Sequence, residues 1–305
     1  MTTSHLTVAR RKFHATVLDS ILTQSKEGVP SNADKSSKSS IEISQSIIDQ
    51  LGPARTAEKL PGQTAGAGFE EVCTTFSDVC FGHMAHLRPG NFFVEKGGGI
   101  ARFEQYAHLE DLEKIAKLNH EIAIAIGSDY LIKPDIVIGR HPEPDELINA
   151  KEVLVDSDTA RHTGLRAANQ QQPILHASIS CKWTLRSDRA QNARSEGLNL
   201  VRNRKGRLPH IAVVTGEPMP GRVASLALGT GDIDCVYHFA LYELRAALES
   251  QNRQESLETL DMMVEGKRLR DISDLALDII IGFSPLMSQA LSSYRLADLS
   301  LFRLH

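Results

Sequence analysis

The sequence predicts an α/β fold in which a mixed central sheet is flanked by helices. Three observations lead there. Short runs rich in β-branched residues, PDIVIG at 134–139, ILHASISCKW at 174–183 and HIAVVT at 210–215, fill the middle of the chain, with helical stretches between and around them. Phe69, Val72, Cys73, Phe76, Val79 and Cys80 repeat at helical spacing and form one apolar stripe. The 305 residues are 41% hydrophobic, enough for one sizeable core and so for a single domain over 1–305.

The elements follow in order. Residues 8–24 read as a helix, with Val8, Ala15, Leu18 and Leu22 spaced for its inner face. Residues 25–41 are rich in Ser, Lys, Asn and Asp, include SSKSS, and carry too few apolar groups to pack, so a polar surface arm is expected. A short helix at 43–51 is stopped by Gly52-Pro53, and the turn-like PGQTAGAG leads into the striped helix. A polar helix is expected at 109–126. In the 174–183 strand, Leu175, Ala177, Ile179 and Cys181 alternate with His176, Ser178, Ser180 and Lys182, which puts Lys182 on a polar face. A helix at 188–202, capped by Ser187, follows it. A fourth strand at 235–239 and helices at 241–249, 257–264 and 272–281 complete the series.

Composition excludes several classes. The net charge of −4 rules out a protein that coats DNA by bulk charge, though a local basic cleft remains compatible with it. Cys73, Cys80, Cys181 and Cys235 form no CxxC pair, which argues against structural zinc and fits a reducing compartment. No apolar run is long enough for a membrane span, and none behind Arg10, Arg11 and Lys12 suits a signal peptide. A cytoplasmic protein is expected.

The chemistry concentrates in Asp135, Lys182 and Glu196, with Glu70 as an outlying member. Phosphodiester hydrolysis uses acidic oxygens to hold divalent metal and a lysine to orient water and neutralise the phosphate. A Pro-Asp opening one strand and a lysine on the polar face of the next can meet at one sheet edge. The arrangement PD…(D/E)XK has a second acid two residues before the lysine, where this chain has Ser180. Glu196 on the following helix can substitute, since Ala193 and Gly197 beside it let that helix approach the sheet. Read one at a time, these residues are also an ordinary strand start, a solvated lysine and exposed helix acids, with Glu71 competing with Glu70.

Four residues past the lysine stands Arg186-Ser187-Asp188-Arg189, at a helix start. Arginine can make paired hydrogen bonds to the major-groove edge of guanine, and aspartate accepts from cytosine amines. The plain alternative is an exposed ion-pair cluster, although arginine at a helix start opposes the dipole. A DNA-binding module without catalysis would keep this motif without needing Asp135 and Lys182 on neighbouring strands. Gly97-Gly98-Gly99 could suggest a nucleotide site, but no GK[ST] follows and a plain loop is the simpler reading.

With PD, SCKWTLRSDR, the acid at Glu196 and QTAGAGFE upstream, the sequence resembles the NgoMIV family of restriction endonucleases, within the CCGG-cutting group of the PD-(D/E)XK nucleases. The resemblance implies a restriction-endonuclease-like fold and Mg2+-dependent cleavage of double-stranded DNA at GCCGGC. Asp135, Lys182, Glu196 and Glu70 would form the catalytic site, with the Cys181 carbonyl as a further metal ligand and its thiol in the core. Arg186, Asp188 and Arg189 would read the CCGG core, Gln63 the minor groove, and Asp34, Ser36 and Arg222 the outer pair, which makes 25–41 a DNA-contacting arm. It also implies a homo-oligomer, dimer or tetramer, and a cognate DNA methyltransferase. A repair nuclease of the same fold would lack the sequence specificity.

Overall fold

A computed structural model describes residues 3–121, 124, 132–229 and 231–281. Six strands form one sheet in sequence order: β1 (Phe92–Lys96), β2 (Ile136–Arg140), β3 (Ile174–Lys182), β4 (His210–Thr215), β5 (Cys235–His238) and β6 (Leu269–Asp271). The first two pairings are antiparallel and the remaining three parallel. Among the described residues the helices are α1 (His5–Ser20), α2 (Lys38–Leu51), α3 (Gly62–Gly82), α4 (His108–Leu118), α5 (Asp145–Ile148), α6 (Ser187–Asn203), α7 (Pro220–Ala227), α8 (Leu241–Ser250), α9 (Gln254–Glu265) and α10 (Leu275–Ile281). The mixed α/β architecture is the expected one. Strands β1 and β6 and helices α5 and α7 were not foreseen, and part of the expected 109–126 helix lies outside the described residues.

The mixed topology determines where the site forms. Because β2 and β3 are antiparallel, the start of β2 lies beside the end of β3. Ile136 pairs with Ile179, so the next rung sets Asp135 opposite Ser180. Because β3, β4 and β5 are parallel, their C-terminal ends emerge at that same edge. Connections after parallel strands collect there, as in other α/β sheets whose ligands bind beyond the carboxyl ends.

Helix α3 lies against β1 and β3 and packs on α1 and α10. Helix α6 packs on α7, which touches β5 and α9. Strand β3 is covered on both sides, with seven of its nine residues buried, so its polar side is an interior surface. A bulge corrects the alternation read from the sequence. Ala177 pairs with Ile138 and Leu175 with Gly139, which leaves His176 as an extra residue. His176 therefore leaves the side of Ser178, Ser180 and Lys182. It packs against Phe81 and Phe92, and its Nε2 lies 2.9 Å from the Ile279 carbonyl oxygen of α10.

Three local expectations also change. Helix α1 buries Phe13, His14, Val17 and Leu18, while Val8 and Ala15 are exposed, so its inner face is rotated from the expected one. The SSKSS run is the start of α2, because the Ser37 hydroxyl accepts from the Ser40 amide and caps it. The QTAGAG segment is helical, not a turn: α3 begins at Gly62, with Ala65 and Phe69 already buried.

The polar arm lies folded on the body. Asn32 is buried, its Nδ2 donates to the Gly216 carbonyl oxygen at 2.8 Å, and its Oδ1 accepts from Ser44. Among the described residues, no helix is long and apolar enough to cross a membrane.

Candidate active site

Asp135 stands at the mouth of β2, with one carboxylate oxygen receiving three donors. Its Oδ2 accepts from the Cys181 amide at 2.6 Å, the Lys182 ammonium at 3.2 Å and the Ser180 hydroxyl at 3.3 Å. The β2–β3 register alone brings these groups together. Glu196 arrives from α6, and its Oε2 lies 3.1 Å from the same Ser180 hydroxyl. Ser180 thus sits between two carboxylates in the place where the pattern has its second acid. It does not replace the acid; it links the two that are present.

Helix α6 reaches the sheet because its inner residues are small. Ala190 and Ala193 are buried, and a Cβ on Gly197 would fall 2.4 Å from the Asp232 carbonyl oxygen. Glu70 is brought in by its neighbour: the Phe69 ring packs 4.9 Å from the Trp183 ring, next to Lys182. Glu71 turns outward to an ion pair with Lys96. Of the two adjacent acids, Glu70 is therefore the one on the site.

The electrostatics describe a crowded anionic site in which Lys182 faces Asp135 and Glu196, and Lys96 as well as Lys182 acts on Glu70. Burial pushes the Glu196 carboxyl above its ordinary range; Lys182 opposes the shift and Asp135 adds to it. Burial and then Asp135 raise Glu70 in the same way. Burial pulls the Lys182 ammonium down, but Asp135 and Glu196 outweigh it and hold its pKa above normal. Carboxylates that penalise one another's charge in a partly buried site have the oxygen-donor chemistry of a hard divalent cation site. Among the described residues, no group of three or more His, Cys, Asp or Glu stands in metal-binding geometry. The carboxylates of Asp135, Glu196 and Glu70 are of the type that holds a hard cation, but they are not gathered for one, and Asp135 is turned to Lys182 instead. The Cys181 thiol is buried and meets Cys73 of α3 in the core, which raises its pKa well above the ordinary value.

The groups expected to read DNA lie just beyond. Arg186 occupies the cap position of α6, where Ser187 was expected, and both Arg186 and Asp188 are exposed. Arg189 is half-buried, and its Nη1 donates to the Thr184 hydroxyl at 2.7 Å. Gln63 is exposed on the first turn of α3, beside Gly62, whose missing side chain would come within 3.4 Å of the Arg189 guanidinium. Asp34 and Ser36 of the arm and Arg222 of α7, which lies 188 positions beyond Asp34, form one cluster. Asp34 Oδ1 accepts from the Ser36 hydroxyl at 2.7 Å, and its Oδ2 pairs with Arg222. That pairing holds the Asp34 carboxyl well below its usual range.

Two cations were missed in the sequence. The Lys59 ammonium is lowered by burial and by the charges of Lys35, Arg186 and Arg189, which marks a basic patch beside the Arg186–Arg189 segment. Nothing in their local sequence signals it, because Lys35, Lys59 and Arg186 meet only through the fold.

The chain has known relatives. The family model described as NgoMIV restriction enzyme matches residues 13–281. The type II restriction enzyme NgoMIV of Neisseria gonorrhoeae is 55% identical over 281 residues, covering 90% of this chain and 98% of that protein. The matched span holds Asp135, Lys182, Glu196, Glu70 and the Arg186–Arg189 segment. The chain therefore belongs to the NgoMIV restriction enzyme family and is a type II site-specific deoxyribonuclease.

Proposed function

We propose that this nuclease hydrolyses double-stranded DNA at a palindrome with a CCGG core, GCCGGC, with Mg2+ as its cofactor. The observation that carries the reading is the convergence of Asp135, Lys182 and Glu196 around Ser180, followed in the chain by the Arg186–Arg189 segment, where Arg186 and Asp188 are exposed. Asp135 and Glu196, with the Cys181 carbonyl, would hold the metal, and Glu70 would supply further negative charge. Bound there, the metal provides an activated water and a counter-charge for the phosphate.

The protein's own groups have separate tasks. Lys182, kept protonated by Asp135 and Glu196, presents a cation to the scissile phosphate and orients water in its plane. Ser180 keeps the two carboxylates together. Arg186 and Arg189 suit the guanines of the core and Asp188 the cytosine amines. Asp34 with Ser36 accepts and Arg222 donates, which suits the two edges of an outer G·C pair and makes 25–41 a DNA-contacting arm on a single domain. Gln63 suits the minor groove. Lys35 and Lys59 suit phosphates.

A palindrome calls for two-fold related subunits, so the enzyme is a homo-oligomer, either a dimer or a tetramer. It works in the cytoplasm, consistent with four free cysteines, beside a methyltransferase that protects the same sequence. The test is digestion of a plasmid of known sequence with Mg2+, with a chelator control, followed by sequencing of the ends. Ends outside GCCGGC would overturn the target, and full activity in the chelator would overturn the cofactor.

A further inference from the structure

One fully buried carboxylate, Glu217, belongs neither to the metal site nor to the groups assigned to bases. It lies two residues past the end of β4 and is 0% exposed. Its two oxygens serve different segments. Oε2 accepts from the Leu185 amide at 2.9 Å, and Leu185 immediately precedes Arg186. Oε1 accepts from the Met219 amide at 3.2 Å and lies 3.6 Å from Arg222 Nη1. Met219 caps α7, which carries Arg222, and Arg222 Nη2 pairs with Asp34 of the arm.

The backbone around Glu217 is held as firmly. Its own amide donates to the Thr215 hydroxyl at 3.2 Å, and its carbonyl oxygen lies 3.1 Å from His238 Nε2. The preceding carbonyl, of Gly216, accepts from Asn32 of the arm. A buried carboxylate is costly, and an apolar residue of similar volume often serves stability as well or better. What an apolar residue could not do is hold the Leu185 amide and the Met219–Arg222 turn at a fixed separation.

We propose that Glu217 is a positioning residue for sequence recognition, setting the Arg186–Arg189 segment and the Asp34–Arg222 pair in one register on the DNA. The proposal rests on the assignment of those two groups to the core and the outer pair. Glutamine at this position can accept from one amide but points an NH2 at the other donor, and it loses the charge facing Arg222. Discrimination should therefore fall at both places at once.

The experiment is metal-free gel-shift binding to four duplexes: GCCGGC, one altered in the outer pair, one altered in the core, and one scrambled. For Glu217→Gln, preference for GCCGGC over both altered duplexes should fall about tenfold or more, the order of one good base contact. Binding to the scrambled duplex and the thermal midpoint should stay near the parent's. Arg222→Ala should lose the outer-pair preference alone. A Glu217→Gln protein that keeps both preferences, or loses only the outer one, overturns the proposal. If that variant does not fold, Glu217→Asp carries the same test, because its shorter side chain cannot reach both segments. Amide exchange in the parent adds an independent check: fast exchange at Leu185 or Met219 would overturn the proposal without any mutation. If the parent itself ignores the outer pair or the core, the base assignments fail first and the proposal falls with them.

Discussion

At the scale of single residues, the groups proposed for chemistry lie apart from those proposed for recognition. Lys182 faces Asp135 and Glu196, whereas Arg186 and Asp188 lie out on the rim. Lys182→Ala should thus cut cleavage by about 10²-fold or more, the order of losing one transition-state donor, while leaving binding to GCCGGC near the parent's. Normal cutting by that variant would remove Lys182 from the chemistry. Glu196→Ala should abolish activity at every Mg2+ concentration tried. Ser180→Ala should cost only about tenfold, the low end for losing a hydroxyl hydrogen bond to a carboxylate. If the serine change proves the more severe, the serine and not the glutamate is the essential group. Asp188→Ala should lose the preference for CCGG and keep weak phosphate binding, as gel shifts at fixed salt will show.

At the scale of elements, the close approach of α6 to the sheet is what brings Glu196 to Ser180. Gly197→Ala would drive a methyl group into the Asp232 carbonyl, displace α6 and carry Glu196 away. The expected result is a stability loss of about 1–3 kcal/mol by denaturant titration, with cleavage falling more than binding. The same scale shows what sequence can reveal. Strands β2 and β4 were legible as short β-branched runs bounded by Pro, Gly and polar residues, and β3 by its apolar and polar alternation. Asp135, Lys182 and Glu196 were legible because strand pairing and helix spacing follow simple periods. The start of α2 was not, since SSKSS has no apolar pattern and owes its helical state to the Ser37 cap. The displaced His176 was not, since a bulge is a property of two strands together. Glu217 offered no signal at all: its partners Leu185, Met219 and Arg222 are joined only by the parallel arrangement of β3 and β4.

At the scale of the whole molecule, buried imidazoles make stability depend on pH. Burial, with help from Arg88, pushes His176 down to about 3, and burial pushes His238 down to about 4. An unfolded histidine titrates near about 6.5. The folded values are the lower ones, so this stability is fully present above that pH. It is lost as the pH falls from there towards 4 and 3, because the unfolded chain takes up the protons first. The thermal midpoint should fall between pH 7 and pH 5, and His176→Gln should flatten that slope. An unchanged slope would mean that His176 takes up its proton alike in the folded and unfolded states.

The pairing of Asp34 with Arg222 also bears on how this enzyme can change over generations. The two residues lie 188 positions apart, yet each is the other's counter-charge. On the proposed reading they also divide one base pair between them. On that reading a mutation at Arg222 would leave Asp34 without its counter-charge, one at Asp34 would leave Arg222 facing Glu217 alone, and either would leave half a reader, so no single step would lead from one six-base target to another. A nuclease whose host is shielded at one sequence only gains from that obstacle, since a half-changed enzyme is a weaker one before it is a misdirected one. On the proposed reading the ion pair would act as an inheritance lock for the genome carrying it.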